Sequence, residues 1–203
     1  MAEATSKEVV FRKVTDTLEL ARRGLRDLTG GDPARRFEGF YTLATYGRSV
    51  TLVLQNMRTI DEERFNEWYK APQALMAADP LMRWFTDTRN AILKEGPERP
   101  GVRVEIRGVY ALGDGPPGTV SWFFGDRRGG TGWRVRREDG SIETVYANMS
   151  GDNITTRHYL PTPPSHHLGE PIHDQSLENL ARRYLAFLER LVADAADEFL
   201  SSG

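Results

Sequence analysis

Apolar residues recur every three or four positions over Ser6–Thr29, which predicts an amphipathic helix. Ser6 is suited to cap the start of this helix, and Gly30-Gly31 is suited to end it. The predicted apolar face consists of Phe11, Val14, Leu18, Ala21, Leu25 and Leu28.

A second helix is predicted to begin at Asp32-Pro33, because an N-cap residue followed by proline at the first helical position is a strong start signal. Its apolar face extends to about Met57. Gly39 and Gly47 each cost about 1 kcal/mol inside a helix. We therefore expect both glycines to pack closely against another helix, and we expect the first two helices to be antiparallel neighbours.

Two more helices are predicted before the chain changes character at Pro100-Gly101. The first begins near Asp61, and Pro72 either interrupts it or lies in a loop. The second begins at Asp79-Pro80, which repeats the cap and proline signal, and it ends at Gly96-Pro97.

Strict alternation of apolar and polar residues begins at Val102 and predicts strands. The alternating segments are Val102–Arg107, Val120–Phe124, Trp133–Glu138 and Ser141–Ala147. Asp139-Gly140 separates the last two and is a strong hairpin signal. We expect about four antiparallel strands, followed by an irregular connection over Leu160–His173.

A final amphipathic helix is predicted from about Gln175 to Leu200, capped by Asp174 or Ser176. Its apolar stripe requires a partner, so we expect it to return onto the N-terminal helices. The predicted fold class is α+β. It is a single domain (1–203) made of an antiparallel helical bundle with an inserted antiparallel β-meander before the last helix. The N-terminal helices occupy 6–96, the insert 102–159 and the returning helix 175–201.

Composition excludes several classes of site. The 203 residues include no cysteine, so disulfides, thiolate zinc sites and cysteine nucleophiles are excluded. The formal net charge of −2 provides no global basic field for nucleic acid. No apolar segment of signal-peptide or membrane-spanning length is present, so we expect a soluble cytoplasmic protein with no membrane partner. No cofactor is predicted.

Four histidines, His158, His166, His167 and His173, lie near the predicted irregular connection. Their spacing does not match a zinc-binding pattern. We expect polar side chains in an exposed loop and predict no metal site.

The end of the fourth predicted helix carries the main candidate site, Arg89, Asn90 and Lys94. Asn90 and Lys94 are four residues apart and share a helix face, with Arg89 at its edge. Arginine binds phosphate through two parallel hydrogen bonds, and lysine contributes a point charge. We expect these residues to contact phosphate or RNA. The alternative is a solvated helix end at which Lys94 complements the helix dipole.

This segment resembles the HEPN superfamily, whose motif is an Arg, often followed by Asn, and a His four to six residues after the Arg. Arg89-Asn90 matches its first half, and Lys94 stands in place of the His. The helix FYTLATYGRSVTLVLQN (Phe40–Asn56) is similar to the family's second helix. The resemblance covers Phe11–Gly96 and the last helix. It implies a homodimer that is either a metal-independent ribonuclease or a non-catalytic binding module. Lysine is a poor general base near neutral pH, so the resemblance favours binding over catalysis.

The predicted strands add a second basic segment with aromatic neighbours, a combination typical of single-stranded nucleic-acid binding. Alternation predicts that Trp122, Phe124 and Trp133 point inward and that the arginines point outward. Arg134 and Arg136 are therefore candidate RNA-binding residues. The full basic set is Arg127, Arg128, Arg134, Arg136 and Arg137.

Three functional hypotheses remain open. The first is a HEPN-like homodimer that contacts RNA, a nucleotide or a partner protein without efficient catalysis. The second is a metal-independent ribonuclease of toxin or defence type, with Arg89, Asn90 and Lys94 as catalytic candidates. The third is a structural interaction module with no ligand.

Overall fold

The computed structural model describes residues 6–30, 33–96, 101–106, 115–123, 132–146 and 154–201. The chain forms two compact units. The first unit comprises Met1–Gly101 and His158–Gly203, and the second comprises Val102–Arg157. That both units belong to a single domain stays a prediction.

The helices of the first unit begin and end close to the predicted positions. Ser6, Asp61 and Asp79 accept hydrogen bonds from the backbone amides of Val9, Arg64 and Met82, as N-cap residues do. Asp32, the predicted cap of the second helix, lies outside the described residues. The helices are α1 (Lys7–Thr29), α2 (Pro33–Leu54), α3 (Glu62–Ala78), α4 (Pro80–Glu95) and α5 (Leu177–Leu200), with a 3-10 turn at Gln55–Thr59.

Pro72 corrects one expectation, because it lies inside α3 and neither ends the helix nor occupies a loop. An interior proline costs about 3 kcal/mol in an isolated helix. The turn before Pro72 is fixed by Phe65 and Tyr69, which are buried in the core. Tertiary packing therefore outweighs the local cost.

The α1 and α2 backbones approach each other at two glycines. A Cβ atom added to Gly24 would lie 2.5 Å from the Leu43 nitrogen, and one added to Gly39 would lie 2.5 Å from the Leu28 nitrogen. The predicted close packing of Gly39 is confirmed, and its partner is α1. Gly47 packs instead against the Tyr184 ring of α5.

The last helix returns onto the N-terminal helices, as predicted. Buried residues of α5 join one hydrophobic cluster with those of α1, α2, α3 and α4. Arg22 of α1 and Glu189 of α5 form an ion pair with a nitrogen–oxygen distance of 2.7 Å. Within the described residues, no helix combines the length and apolar character needed to cross a membrane.

The β structure confirms the α+β class and corrects the predicted four-stranded meander. Three antiparallel strands form the meander: β2 (Thr119–Phe123), β3 (Gly132–Arg136) and β4 (Ile142–Tyr146). The first predicted strand, β1 (Gly101–Ile106), pairs instead with β5 (Ile154–Tyr159). β5 was not predicted, because its Thr-Thr-Arg-His run shows no apolar alternation. Two short strands, β6 (His166–His167) and β7 (Glu170–Pro171), form a separate pair.

The hairpin predicted at Asp139-Gly140 is confirmed. Gly140 has a φ of +83°, a conformation that glycine adopts without steric cost. The Asp139 carboxylate accepts a hydrogen bond of 2.9 Å from the Ser141 amide. The turn joins β3 to β4 in the register that pairs Trp133 with Val145.

Candidate functional site

The end of α4 brings two of its three candidate residues into contact. The Arg89 guanidinium donates a 3.1 Å hydrogen bond to the Asn90 side-chain oxygen. Arg89 is half-buried, and no partner for its buried Nε is found in the part of the chain that the structure describes. Lys94 is exposed on the last turn, where the helix dipole favours cations and disfavours anions.

The outer face of the three-stranded sheet carries the other two candidates. Arg134 and Arg136 lie two positions apart on β3 and are exposed. Trp133, which precedes Arg134, and Val135, which lies between the two arginines, are buried. The predicted outward direction of these arginines is confirmed. No ion pair or hydrogen bond holds either guanidinium among the described residues, so both remain available to an anion. Arg127 and Arg128 lie outside the described residues.

An aromatic pair lies on the same outer face. The register places Phe123 and Tyr146 on either side of Gly132, and their rings meet edge to face with centroids 5.8 Å apart. Tyr146 is 43% exposed and Phe123 is half-buried. A Cβ on Gly132 would lie 2.1 Å from the Val145 carbonyl oxygen, so a side chain at this position would clash with the β4 backbone.

The inner face corrects the expectation for one tryptophan. Trp133 is 7% exposed, as predicted, but Trp122 is 48% exposed although it is the cross-strand partner of Trp133. Strand alternation fixes only the face to which a side chain points. Trp122 lies on β2, an edge strand of the meander, where its ring is exposed to solvent. Phe124 lies outside the described residues.

The histidines are not all exposed loop residues. His166 and His173 are exposed, but His167 is 5% exposed, and its Nδ1 lies 3.1 Å from the Asp79 carboxylate. Because a carboxylate only accepts, Nδ1 carries the proton. Asp79 also accepts from the amides of Leu168 (2.6 Å) and Met82 (2.9 Å). His167 is therefore a core residue that ties the β6–β7 turn to the start of α4.

Asp79 remains a carboxylate in this buried setting. Burial alone would raise its pKa, but the amides of Leu168 and Met82 and the His167 ring more than offset that effect. The pKa of Asp79 is consequently below its ordinary value. Among the described residues, no group of three or more His, Asp or Glu side chains is placed to hold a metal ion.

A cavity of about 300 Å³ opens among α2, α3, α4 and α5. Its polar lining was not identified from the sequence. Arg48 on α2 donates to the Thr51 hydroxyl, and that hydroxyl donates to the Arg48 carbonyl at 2.9 Å. The lining comprises Arg48, Thr51, Gln55, Tyr69, Gln73, Met76, Ala77, Met82, Arg83, Thr86, Asp87 and Tyr184.

Two buried phenols contribute to this lining. Tyr69 and Tyr184 are each 2% exposed, and burial raises the pKa of both above the ordinary value. The Arg48 charge opposes the upward pKa shift at both phenols. Tyr184 stacks on Phe85 with ring centroids 3.9 Å apart.

A second cavity of about 440 Å³ lies beside the end of α4 and is lined there by Thr88, Ala91 and Ile92. Its lining does not include Arg89, Asn90 or Lys94. The predicted site residues therefore lie on α4 without facing this cavity.

Residues 40–123 match the model of the family described as Bacteriophage lambda protein ea47, which is less than half of the chain. The match is to that family and not to HEPN, so the resemblance to HEPN was wrong. Arg-Asn is a two-residue signal, and amphipathic antiparallel helices are common to many folds. The matched stretch includes every lining residue of the 300 Å³ cavity except Tyr184. No curated protein and no solved structure matches the chain.

Proposed function

We propose that this protein binds single-stranded nucleic acid on the outer face of its three-stranded sheet. The observation that carries the proposal is the arrangement of Arg134 and Arg136 on the same exposed face as the Phe123–Tyr146 ring pair. A polyanion with exposed bases complements both features, because arginine binds phosphate and an aromatic ring stacks on any base.

The geometry of the strand supports an extended ligand. Residues two apart on a strand are about 6.6 Å apart, so Arg134 and Arg136 present two cations in a row along β3. Gly132 continues that row toward the ring pair. A strand of nucleic acid along β3 would place its backbone on the arginines and a base against Tyr146.

A single-stranded ligand fits this face better than a duplex. In a duplex the bases are stacked inside and cannot reach a ring on a sheet surface. The protein carries no net positive charge that would attract duplex phosphates non-specifically. We infer that the protein binds single-stranded nucleic acid in the cytoplasm.

The test is fluorescence anisotropy with labelled twelve-nucleotide uridine and thymidine oligonucleotides and a twelve-base-pair duplex. Each arginine–phosphate contact contributes about 0.7 to the salt slope for a single strand. Arg134→Gln/Arg136→Gln should therefore flatten the slope of log K against log salt by about 1.4. Tyr146→Leu should cost about 1–3 kcal/mol of binding at constant slope, because it removes a stacking ring.

The matched control is Arg12→Gln/Arg23→Gln, which removes the same charge from exposed positions on α1. If the control variant weakens binding as much as the sheet variant, binding depends only on the net charge of the protein and not on contacts with the sheet, and the proposal is wrong. Absence of binding by the wild type to either single strand would also refute it.

The same assay tests the end of α4. Phosphate contact by Arg89, Asn90 and Lys94 stays a prediction, and Lys94→Gln should weaken binding only if that contact exists. The homodimer also stays a prediction. A denaturing gel of the RNA after incubation in EDTA tests the ribonuclease alternative. If no oligonucleotide binds, the alternatives that remain are a protein partner and a structural module without a ligand.

A further inference from the structure

We propose that the cavity among α2, α3, α4 and α5 binds a small organic molecule through an oxyanion, either phosphate or carboxylate, with Arg48 and Tyr184 as its main polar contacts. This site belongs to the helical unit and is independent of the nucleic-acid face proposed above. It consists mainly of side chains from four helices, and no short sequence motif predicts it.

The charge inside the cavity favours an anion. Arg48 is half-buried, and within the described residues its guanidinium donates only to the Thr51 hydroxyl. No carboxylate there forms an ion pair with it. Arg83 adds a second cation to the lining, and Asp87 adds one acidic group. The cavity therefore has one more basic than acidic side chain, which favours an anionic ligand.

The hydroxyl of Tyr184 supplies a hydrogen-bond donor at this cavity. The side chain is 2% exposed, and buried tyrosine hydroxyls usually find a hydrogen-bond partner. In the part of the chain that the structure describes, the Tyr184 hydroxyl has none, and the residue lines the cavity. Burial keeps the phenol protonated, so it can donate a hydrogen bond to a ligand.

The fold brings Tyr184 against the turn of α2 that carries Arg48. Gly47 precedes Arg48 on α2, and a Cβ at Gly47 would lie 2.5 Å from Cε1 and 3.1 Å from the hydroxyl of Tyr184. The missing side chain allows the Tyr184 ring to reach α2. Phe85 stacks on the face of that ring with an interplanar angle of 8°. The phenol is therefore fixed in position against the turn of α2 that carries Arg48 before any ligand binds.

The remaining lining defines the body of the ligand. Met76, Ala77 and Met82 form an apolar wall, and Gln55 and Gln73 supply neutral amides. A volume of about 300 Å³ is at the lower limit for small-molecule sites. These features fit a small apolar or aromatic group that carries one oxyanion.

Isothermal titration of the full chain with phenyl phosphate, benzoate and uncharged benzyl alcohol tests this proposal. Saturable binding of phenyl phosphate or benzoate, but not of benzyl alcohol, is expected, and the tighter anion identifies the oxyanion. Tyr184→Phe keeps the ring stack and removes only the hydroxyl. It should weaken binding about tenfold or more, because a hydrogen bond to a charged group is lost. Arg48→Gln should weaken it further.

Tyr46→Phe is the matched control, because Tyr46 is 38% exposed and does not line the cavity. It should leave binding unchanged. Circular dichroism establishes that each variant is folded, and Tyr184→Phe provides the decisive comparison if Arg48→Gln does not fold. Failure of both anions to bind, equal binding of benzyl alcohol, or unchanged binding by Tyr184→Phe would each overturn the proposal.

Discussion

Replacement of Asp79 by alanine should be among the most destabilising changes to a polar residue in this protein. The side chain is 4% exposed and accepts hydrogen bonds from the Met82 amide, the Leu168 amide and the His167 ring. Loss of an N-cap costs about 0.5–2 kcal/mol. Each buried donor left without an acceptor costs about 1–3 kcal/mol.

These contributions are not additive, and a total loss of about 3–5 kcal/mol is consistent with the cost of breaking a buried pair. That is a large share of the roughly 5–15 kcal/mol that stabilises a typical domain. With a urea slope of about 2–3 kcal/mol/M, the midpoint of unfolding should fall by about 1–2 M. Circular dichroism at neutral pH measures this midpoint directly.

Asp61→Ala is the matched control for Asp79→Ala. Asp61 also caps a helix, α3, but it is half-buried and its described side-chain contact is the Arg64 amide. Its loss should cost about 1 kcal/mol. If the two variants lose similar stability, the contacts of Asp79 with His167 and Leu168 contribute nothing beyond capping, and the reasoning is refuted.

Three further predictions concern stability. Because the folded-state pKa of Asp79 is lowered, its carboxylate stabilises the fold above pH 3.8, its ordinary pKa, and this contribution is lost as pH falls through the folded-state pKa. The stability advantage of wild type over Asp79→Asn in urea unfolding should therefore shrink on acidification. A difference that stays constant with pH would contradict this prediction. Gly39→Ala should lower the free energy of unfolding by about 1–3 kcal/mol in thermal unfolding, because the added carbon lies 2.5 Å from the Leu28 backbone nitrogen. An increase in stability of about 1 kcal/mol, typical of an open helix position, would contradict the close packing. Gly140→Ala should cost about 1 kcal/mol through its φ of +83° alone, since no atom lies within 4 Å of the new carbon, and Gly140→Asn should recover part of that loss.

Local signals in the sequence were sufficient for the helices. The caps Ser6 and Asp79 lie where they were predicted, and α3 starts at Asp61 as expected, because a cap depends on residues three positions apart and on no distant contact. The turn at Asp139-Gly140 was predictable for the same reason. The helix through Pro72 was not, because burial of the turn before it overrides the local preference.

Strand pairing depends on long-range contacts, and there the sequence was less informative. The alternating segment that became β1 was predicted as a strand, but its pairing with β5 joins residues about fifty positions apart. Side-chain exposure also depends on the position of a strand within its sheet, which is why Trp122 is open to solvent although its cross-strand partner Trp133 is buried.

The sequence by itself determined the helix starts at Ser6, Asp61 and Asp79, the hairpin, and the outward direction of Arg134 and Arg136. Each of these follows from residue types within a few positions or from a single period. Only the tertiary structure decided which distant polar groups come together: His167 bonds to Asp79, and Arg48 and Tyr184 line one cavity. Those residues lie 88 and 136 positions apart in the chain, and their proximity comes from the packing of α5 and the β6–β7 turn onto the bundle. Hydrophobic periodicity and local motifs relate residues that are only a few positions apart, so they could not predict which of these distant residues come together.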